Sequence, residues 1–317
     1  MPLLLLSCSP YRDFTLPPQP GHPQKLTIEW HPQSAPVLTR GPANSWDSDD
    51  VLNPSVIKTA TGYTNLYSGY DGRVWRTGVS TSPDGLTWTK QTQILTPDPA
   101  TWEGGYIAAN GSVIEQDGLA YYYQAGKPPR IGLARSGPAW AKQPRPVLEL
   151  GPYGSWDERG VADPYVIEVR GNRYMFYLGM DRARRQRLGV AESSDGLAWT
   201  KLRSNPVLEL GSFGAFDESG LGEPAVWIST GSYWMLYTGR DRAENRRLGL
   251  ARSLDGVHWE KLPQVLSGSE PWDAKVICDP TVLVEGNNIR VWYGGGDAPR
   301  PDQEIHGQIG YGILRIR

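Results

Sequence analysis

The sequence predicts an all-β fold: a five-bladed β-propeller of four-stranded antiparallel blades, closed by an N-terminal strand. Three observations carry this. First, five segments align: SWDSDDVLNPSV (45–56), TWEGGYIAANGSV (101–113), SWDERGVADPYV (155–166), AFDESGLGEPAV (215–226) and PWDAKVICDPTV (271–282). Their leading aromatics, Trp46, Trp102, Trp156, Phe216 and Trp272, are spaced by 56, 54, 60 and 56 residues, a period that belongs to repeat architectures. Second, each repeat reads as a set of short β-branched and aromatic runs broken by Gly, Asp and Asn turns, and no segment sustains helical periodicity. Third, the last repeat lacks a fourth run, and LTIEWHPQSAPVL (26–38) supplies one.

Within a repeat, the first strand opens at x-Pro-x-Val, with glycine in place of proline in the second repeat. The second strand is tyrosine-rich and ends in glycine, as in NRYMFYLG and SYWMLYTG. The third reads like IGLARS or LGLARS. The fourth carries Ser-x-Asp-Gly-x-x-Trp in SPDGLTWTK, SSDGLAWTK and SLDGVHWEK, degraded to SGPAWAK in the second repeat. Trp30 precedes Trp46 by 16 residues, as the fourth-strand tryptophans Trp88, Trp140, Trp199 and Trp259 precede the next repeat by 14, 16, 17 and 13. Radial repetition of four-stranded sheets is the propeller pattern. Residues 25–317 form one domain on this reading.

Residues 1–24 read differently. Leu5-Leu6-Ser7-Cys8 resembles the lipobox of a bacterial lipoprotein signal, with a lipid anchor at Cys8, and the proline-rich stretch after it reads as a tether. This predicts an extracytoplasmic location, although a basic leader region is missing. No run is long enough to span a membrane as a helix. Cys8 and Cys278 are the two cysteines, so no disulfide framework is expected.

A net charge of −2 argues against a nucleic-acid partner. The aromatic content is skewed, with 13 Trp and 16 Tyr against 4 Phe. Trp and Tyr join an apolar face to a polar edge, which suits sugars, but most of them are expected to fill gaps between sheets. The Trp-Asp pairs and the Ser-x-Asp-Gly-x-x-Trp tags recur in several repeats and are therefore read as structural, with Asp84, Asp195 and Asp255 closing turns. No paired-cysteine or His-Glu metal motif occurs.

Chemistry is sought where the repeats differ. The residue before the proline is Asn53, Asn110, Asp163, Glu223 or Asp279 in turn. It lies at the entry to the innermost strand, so all five side chains are expected around one mouth of the central channel. Clustered carboxylates push their pKa values apart, and a separated acid and base are what glycosidic cleavage needs.

On these residues, residues 26–317 resemble the five-bladed glycosidase clan, closest to glycoside hydrolase family 43 (arabinanases and xylosidases), and more distantly families 32 and 130. The resemblance implies a fourth-blade glutamate as general acid, Glu223, and a third-blade aspartate that tunes it, Asp163. The family's first-blade base is replaced by Asn53. The base role is then open to Asp49 or Asp50, to Asp279, or to a nucleophile that needs no base, as in the phosphorolysis of mannosides. Asn53, Asn110 and Asp50 are candidate sugar contacts. Arg182 and Arg242, on the strand-two hairpins, are candidates to grip a carboxylate or phosphate, or else hairpin ion pairs. His306 falls on the same face, and arabinanases of this clan hold a histidine near a bound ion. A structural calcium, or a sodium, in the channel is compatible with the resemblance, and no cofactor is required. The expectation is a monomeric, inverting hydrolase of arabinan-like or xylan-like glycans. A phosphorylase or transglycosylase, and a glycan-binding propeller without activity, are the alternatives.

Overall fold

The protein is described as a computed structural model covering residues 10–23 and 25–317, and Cys8 with its lipobox lies outside the described residues. The described residues form strands and turns and no helix. Two short N-terminal strands, β1 (Tyr11–Arg12) and β2 (Ile28–Pro32), precede the repeats.

The first repeat folds as the meander β3 (Asp50–Thr59), β4 (Gly62–Tyr70), β5 (Trp75–Ser82) and β6 (Thr89–Leu95). The second gives β7 (Ala108–Glu115), β8 (Leu119–Ala125), β9 (Arg130–Arg135) and the two-residue β10 (Ala141–Lys142), short where the tag is degraded. The third gives β11 (Gly160–Val169), β12 (Asn172–Met180), β13 (Gln186–Ser193) and β14 (Thr200–Leu202), with β1 added in parallel to β14. The fourth gives β15 (Gly220–Ser229), β16 (Ser232–Arg240), β17 (Arg246–Ser253) and β18 (Glu260–Leu266). The fifth gives β19 (Val276–Glu285), β20 (Asn288–Gly296) and β21 (Gln308–Ile316), and β2 pairs antiparallel to β21 with Trp30 opposite Leu314. One parallel pairing, Arg246 with Val276, joins the fourth and fifth sets into a single eight-stranded sheet. The first strands touch in the order β3–β7, β7–β11, β11–β15, β15–β19 and β19–β3.

The repeated acids explain why each set holds its shape. Asp47, Glu103, Asp157, Asp217 and Asp273 are all buried, and each accepts from a second-strand tyrosine: Tyr67, Tyr123, Tyr177, Tyr237 and Tyr293. In four sets a fourth-strand lysine, Lys90, Lys142, Lys201 or Lys261, completes the pair at 2.5–2.6 Å. The fifth set has Pro32 at that register, so its acid has the tyrosine and the Glu270 amide but no lysine. The tags are structural as well. Asp84, Asp195 and Asp255 each accept two backbone amides two and three residues on, and Trp88, Trp199 and Trp259 donate to the preceding turn glycine.

The proline-rich stretch, from residue 10 on, is packed against the third and fourth sets. Leu16 is fully buried, its amide donates to Asp255 O at 2.8 Å, and Tyr233 Oη donates to Pro17 O at 2.7 Å. The apolar core lies between neighbouring sets, where Phe176, Leu178, Met235 and Tyr237 pack together, as do Leu236, Leu250, Val291 and Tyr293.

Candidate active site

Each first strand carries a β-bulge at the same place: between Leu52 and Ser55, Ala109 and Gly111, Ala162 and Tyr165, Gly222 and Ala225, and Cys278 and Thr281. A bulge turns one side chain out of the alternation and leaves it unpaired in the ladder. The turned residues are Asn53, Asn110, Asp163, Glu223 and Asp279, at φ of 48°, 50°, 47°, 42° and 51°. This left-handed region is tolerated by Asn and Asp and is unfavourable for Glu, at a cost of about 1 kcal/mol or more. Hydroxyls of the neighbouring second strands hold two of the bulges: Ser68 Oγ accepts from Asn110 N at 2.9 Å, and Thr238 Oγ1 from Asp279 N at 3.2 Å.

All five residues line one cavity of about 490 Å³. Below it, the same five and the prolines or glycine that follow them surround a narrower space of about 30 Å³. Asn53 and Asp279 are 8% and 7% exposed; Asp163 and Glu223 keep more contact with the open space.

The carboxylates affect one another. Burial pushes Asp163 well above the usual carboxylate range, and the charges of Glu223 and Asp279 push it further, while a hydrogen bond with the Asn110 side chain pulls the other way. Burial, then the charge of Glu223, raises Asp279 to about 7. Against this, Cys278 Sγ donates to Asp279 Oδ2 at 3.2 Å, the Arg246 cation lies close, and the Asn53 amide donates to the same oxygen at 3.3 Å. Asp163 and Asp279 therefore hold their protons more tightly than isolated carboxyls would, with Asp279 poised to exchange one near neutrality. Glu223 Oε2 is buried and has no hydrogen-bond partner within the protein.

The walls contain residues that the sequence reading missed. Trp75, stacked on Tyr70 with ring centres 4.8 Å apart, and Tyr106 form an aromatic side. Arg184, Arg240 and Arg246 bring positive charge, and Asp302 arrives on the loop after β20. Arg240 is engaged by Glu244 and Gln186, each at 3.0 Å. Arg246 is buried and donates to the carbonyls of Arg300 and Pro301. One signal was available: Gln186 and Arg246 take the same place in DRARRQR and DRAENRR, and both line the cavity.

Four expected contacts do not line it. Asp50 is fully buried and accepts from the amides of Glu304 and Gly307 at 2.5 and 2.6 Å, so its carboxylate anchors the loop that delivers Asp302. Arg182 and Arg242 are exposed and pair with Glu158 at 2.9 Å and Glu218 at 3.3 Å, as hairpin ion pairs would. His306 is exposed and meets Asp297 at 2.6 Å. Among the described residues, no group of three or more His, Cys, Asp or Glu is arranged to hold a metal ion.

Comparison with known proteins identifies the family of the chain and relatives of its fold. The model of the glycosyl hydrolases family 32 N-terminal domain matches residues 63–270, and this is the family that the sequence reading placed further off than family 43. An uncharacterized protein of Mycobacterium tuberculosis (strain H37Rv) is 28% identical over 174 residues, which is 51% of this chain and 57% of that relative, so the chain spans little more than half the length of the curated relative it matches. Among solved structures, a glycosyl hydrolase from Bacteroides ovatus superposes with a TM-score of 0.73 at 17% identity, covering 93% of this chain and 96% of that one. A structure from work on glycoside hydrolases of the GH130 mannoside phosphorylase family, described as targeting β-1,2 mannosidic linkages in Candida mannan, gives 0.71 at 17% identity, over 93% and 96%.

Proposed function

From the premise that the chain belongs to the glycosyl hydrolases family 32 N-terminal domain family, we propose that it is a glycoside hydrolase of oligo- or polysaccharides and that the five strand sets are the blades of a closed propeller. The cyclic contacts of the first strands and the β2–β21 pairing support the closed ring. The observation that carries the activity is the set of carboxylates on the bulges: three acids line one cavity, and burial with the charge of Glu223 holds Asp163 well above its usual range and Asp279 near neutrality.

In this reading, Glu223 donates a proton to the leaving glycosidic oxygen. Its unpartnered buried oxygen is a group that a substrate oxygen would satisfy. Asp163, on the neighbouring bulge of the same cavity, tunes the acid and orients the sugar. Asp279 takes the proton of the attacking water. Titration near 7 is where a general base works best, and the Asn53 amide and Arg246 favour its charged form. The first-blade base is thus replaced from the last blade. The chemistry calls for no metal or cofactor, and inversion follows if water attacks opposite the acid.

A second reading, phosphorolysis, is favoured by Arg184, Arg240 and Arg246 in the same cavity, since guanidinium groups suit a phosphate. The test is sugar release from arabinan, xylan, fructan and mannan oligosaccharides, with and without inorganic phosphate, by wild type and Glu223→Gln. Release that the variant loses supports the acid; release only with phosphate selects phosphorolysis; no release from any of them by wild type removes the catalytic reading.

A further inference from the structure

The two sets that supply Asp163 and Glu223 share a second group of residues on their surface. Tyr153, in the loop before β11, is 84% exposed, and Phe213, in the loop before β15, is 81% exposed; no other described large apolar side chain stands so far out. Against each ring lies an arginine, with the guanidinium carbon 4.0 Å from the Tyr153 centre for Arg182 and 4.4 Å from the Phe213 centre for Arg242. Each arginine is fixed by a glutamate, Glu158 or Glu218. Each glutamate also accepts the amide of the glycine after the aromatic, Gly154 at 2.7 Å and Gly214 at 2.9 Å. Both glycines sit at positive φ, 85° and 83°, with free space where a Cβ would stand, so conformation and not crowding calls for glycine.

The group is present whole or absent whole. The first repeat has Ala43, Ser48 and Gly72 at these places, and the fifth has Ser269, Ala274 and Ala298. Packing does not account for the rings, because they contribute almost nothing to the core; Arg182 also donates to Tyr153 Oη at 2.7 Å, but Phe213 has no hydroxyl, so the ring is what the two positions share. Both sets adjoin the cavity: Arg184 is two residues from Arg182, Arg240 two residues from Arg242, and both line it. An aromatic ring braced on one side and open on the other suits the C–H face of a sugar. The arginines are already paired with acids, so the platforms favour neutral sugar rings over anionic ones.

We propose that Tyr153 and Phe213 are stacking platforms for a neutral glycan chain that extends out of the cavity, so that the protein acts on long oligosaccharides or polysaccharides. The substrate class rests on the glycosidase reading above; the platforms themselves do not require catalysis. The experiment is native electrophoresis through gels containing arabinan, xylan, levan or mannan, comparing wild type with the double variant Tyr153→Ala, Phe213→Ala and with Tyr153→Phe. Melting curves establish that each variant is folded. Retardation of wild type by at least one polysaccharide is expected, with apparent Kd raised about tenfold in the double variant and kept in Tyr153→Phe, because stacking needs the ring and not the hydroxyl. Equal retardation of wild type and double variant, or no retardation of wild type by any of the four, overturns the proposal. Loss of retardation in the double variant without sugar release by wild type leaves the platforms standing and removes only the glycosidase reading.

Discussion

The backbone amide of Asn53 donates to Asp279 Oδ2 at 3.3 Å, linking the bulge of the first set to that of the last. Asn53 occupies the place where the resemblance expects a base. Its backbone orients the carboxylate that takes over the role in our proposal, and its side chain, an amide, adds no further charge to the cluster.

That arrangement predicts the acid limb of activity. A base must be deprotonated, so kcat/KM should fall as pH drops through about 7, the value to which burial and Glu223 raise Asp279. Asp279→Asn should lower kcat by about a thousandfold and abolish the limb. A pH profile of sugar release checks both.

Stability should move the opposite way. A carboxyl whose folded pKa lies above its ordinary 3.8 binds its proton more tightly in the folded state, so its contribution to stability falls as pH rises from 3.8 to about 7. Asp279→Asn should therefore melt higher than wild type at pH 8 and at nearly the same temperature near pH 4. Melting curves at the two pH values decide it.

Glu223 holds a left-handed backbone conformation that asparagine adopts more readily, at φ of 42°. Glu223→Asn installs the residue of the first two sets. We expect activity to be lost and stability to rise by about 1 kcal/mol, from relief of strain and of an unpartnered buried oxygen. Urea unfolding of the variant reads this directly.

Lys201 and Asp157 form the most enclosed of the four lysine–acid pairs, with side chains 6% and 0% exposed, while Lys90 of the equivalent pair is 29% exposed. Lys201→Ala leaves a buried carboxylate without its cation and should cost about 3–5 kcal/mol. Lys90→Ala should cost clearly less, since water can reach Asp47 once the chain is shortened. Urea midpoints of the two variants order them.

Asp50 should prove a positioning residue. Asp50→Ala frees the amides of Glu304 and Gly307 and loosens the loop that brings Asp302 to the cavity. Limited proteolysis should cut between residues 297 and 307 faster in the variant, and KM should rise more than kcat falls.

The fold was legible because the same local problem is solved five times. The Trp-Asp motif, the tyrosine of the second strand and the lysine after the fourth-strand tryptophan are one buried hydrogen-bonded unit, and repetition makes such units visible in a single chain. The five bulge residues were legible for the opposite reason, since they vary where their surroundings do not. What sequence hid depended on partners far away along the chain. Sequence leaves Arg182 and Arg242 open between a grip on an anion and hairpin ion pairs, and only Glu158 and Glu218 beside them decide for the pairs. Trp75 and Tyr106 reach the cavity through turns that carry no motif. Leu16 sits in a stretch whose prolines suggest a tether, and only the groove between the third and fourth sets explains its burial.

The pairing of β2 with β21 has a consequence for synthesis. Trp30 is made before the first of the five repeats and its partner Leu314 lies in the last strand of the fifth, so β2 waits for its partner until β21 has emerged. During that interval its edge is open to other strands, including those of a neighbouring nascent chain. A protein built this way stays vulnerable until β21 has been made, and a chain that stops short of β21 would present the cell with an unmatched edge.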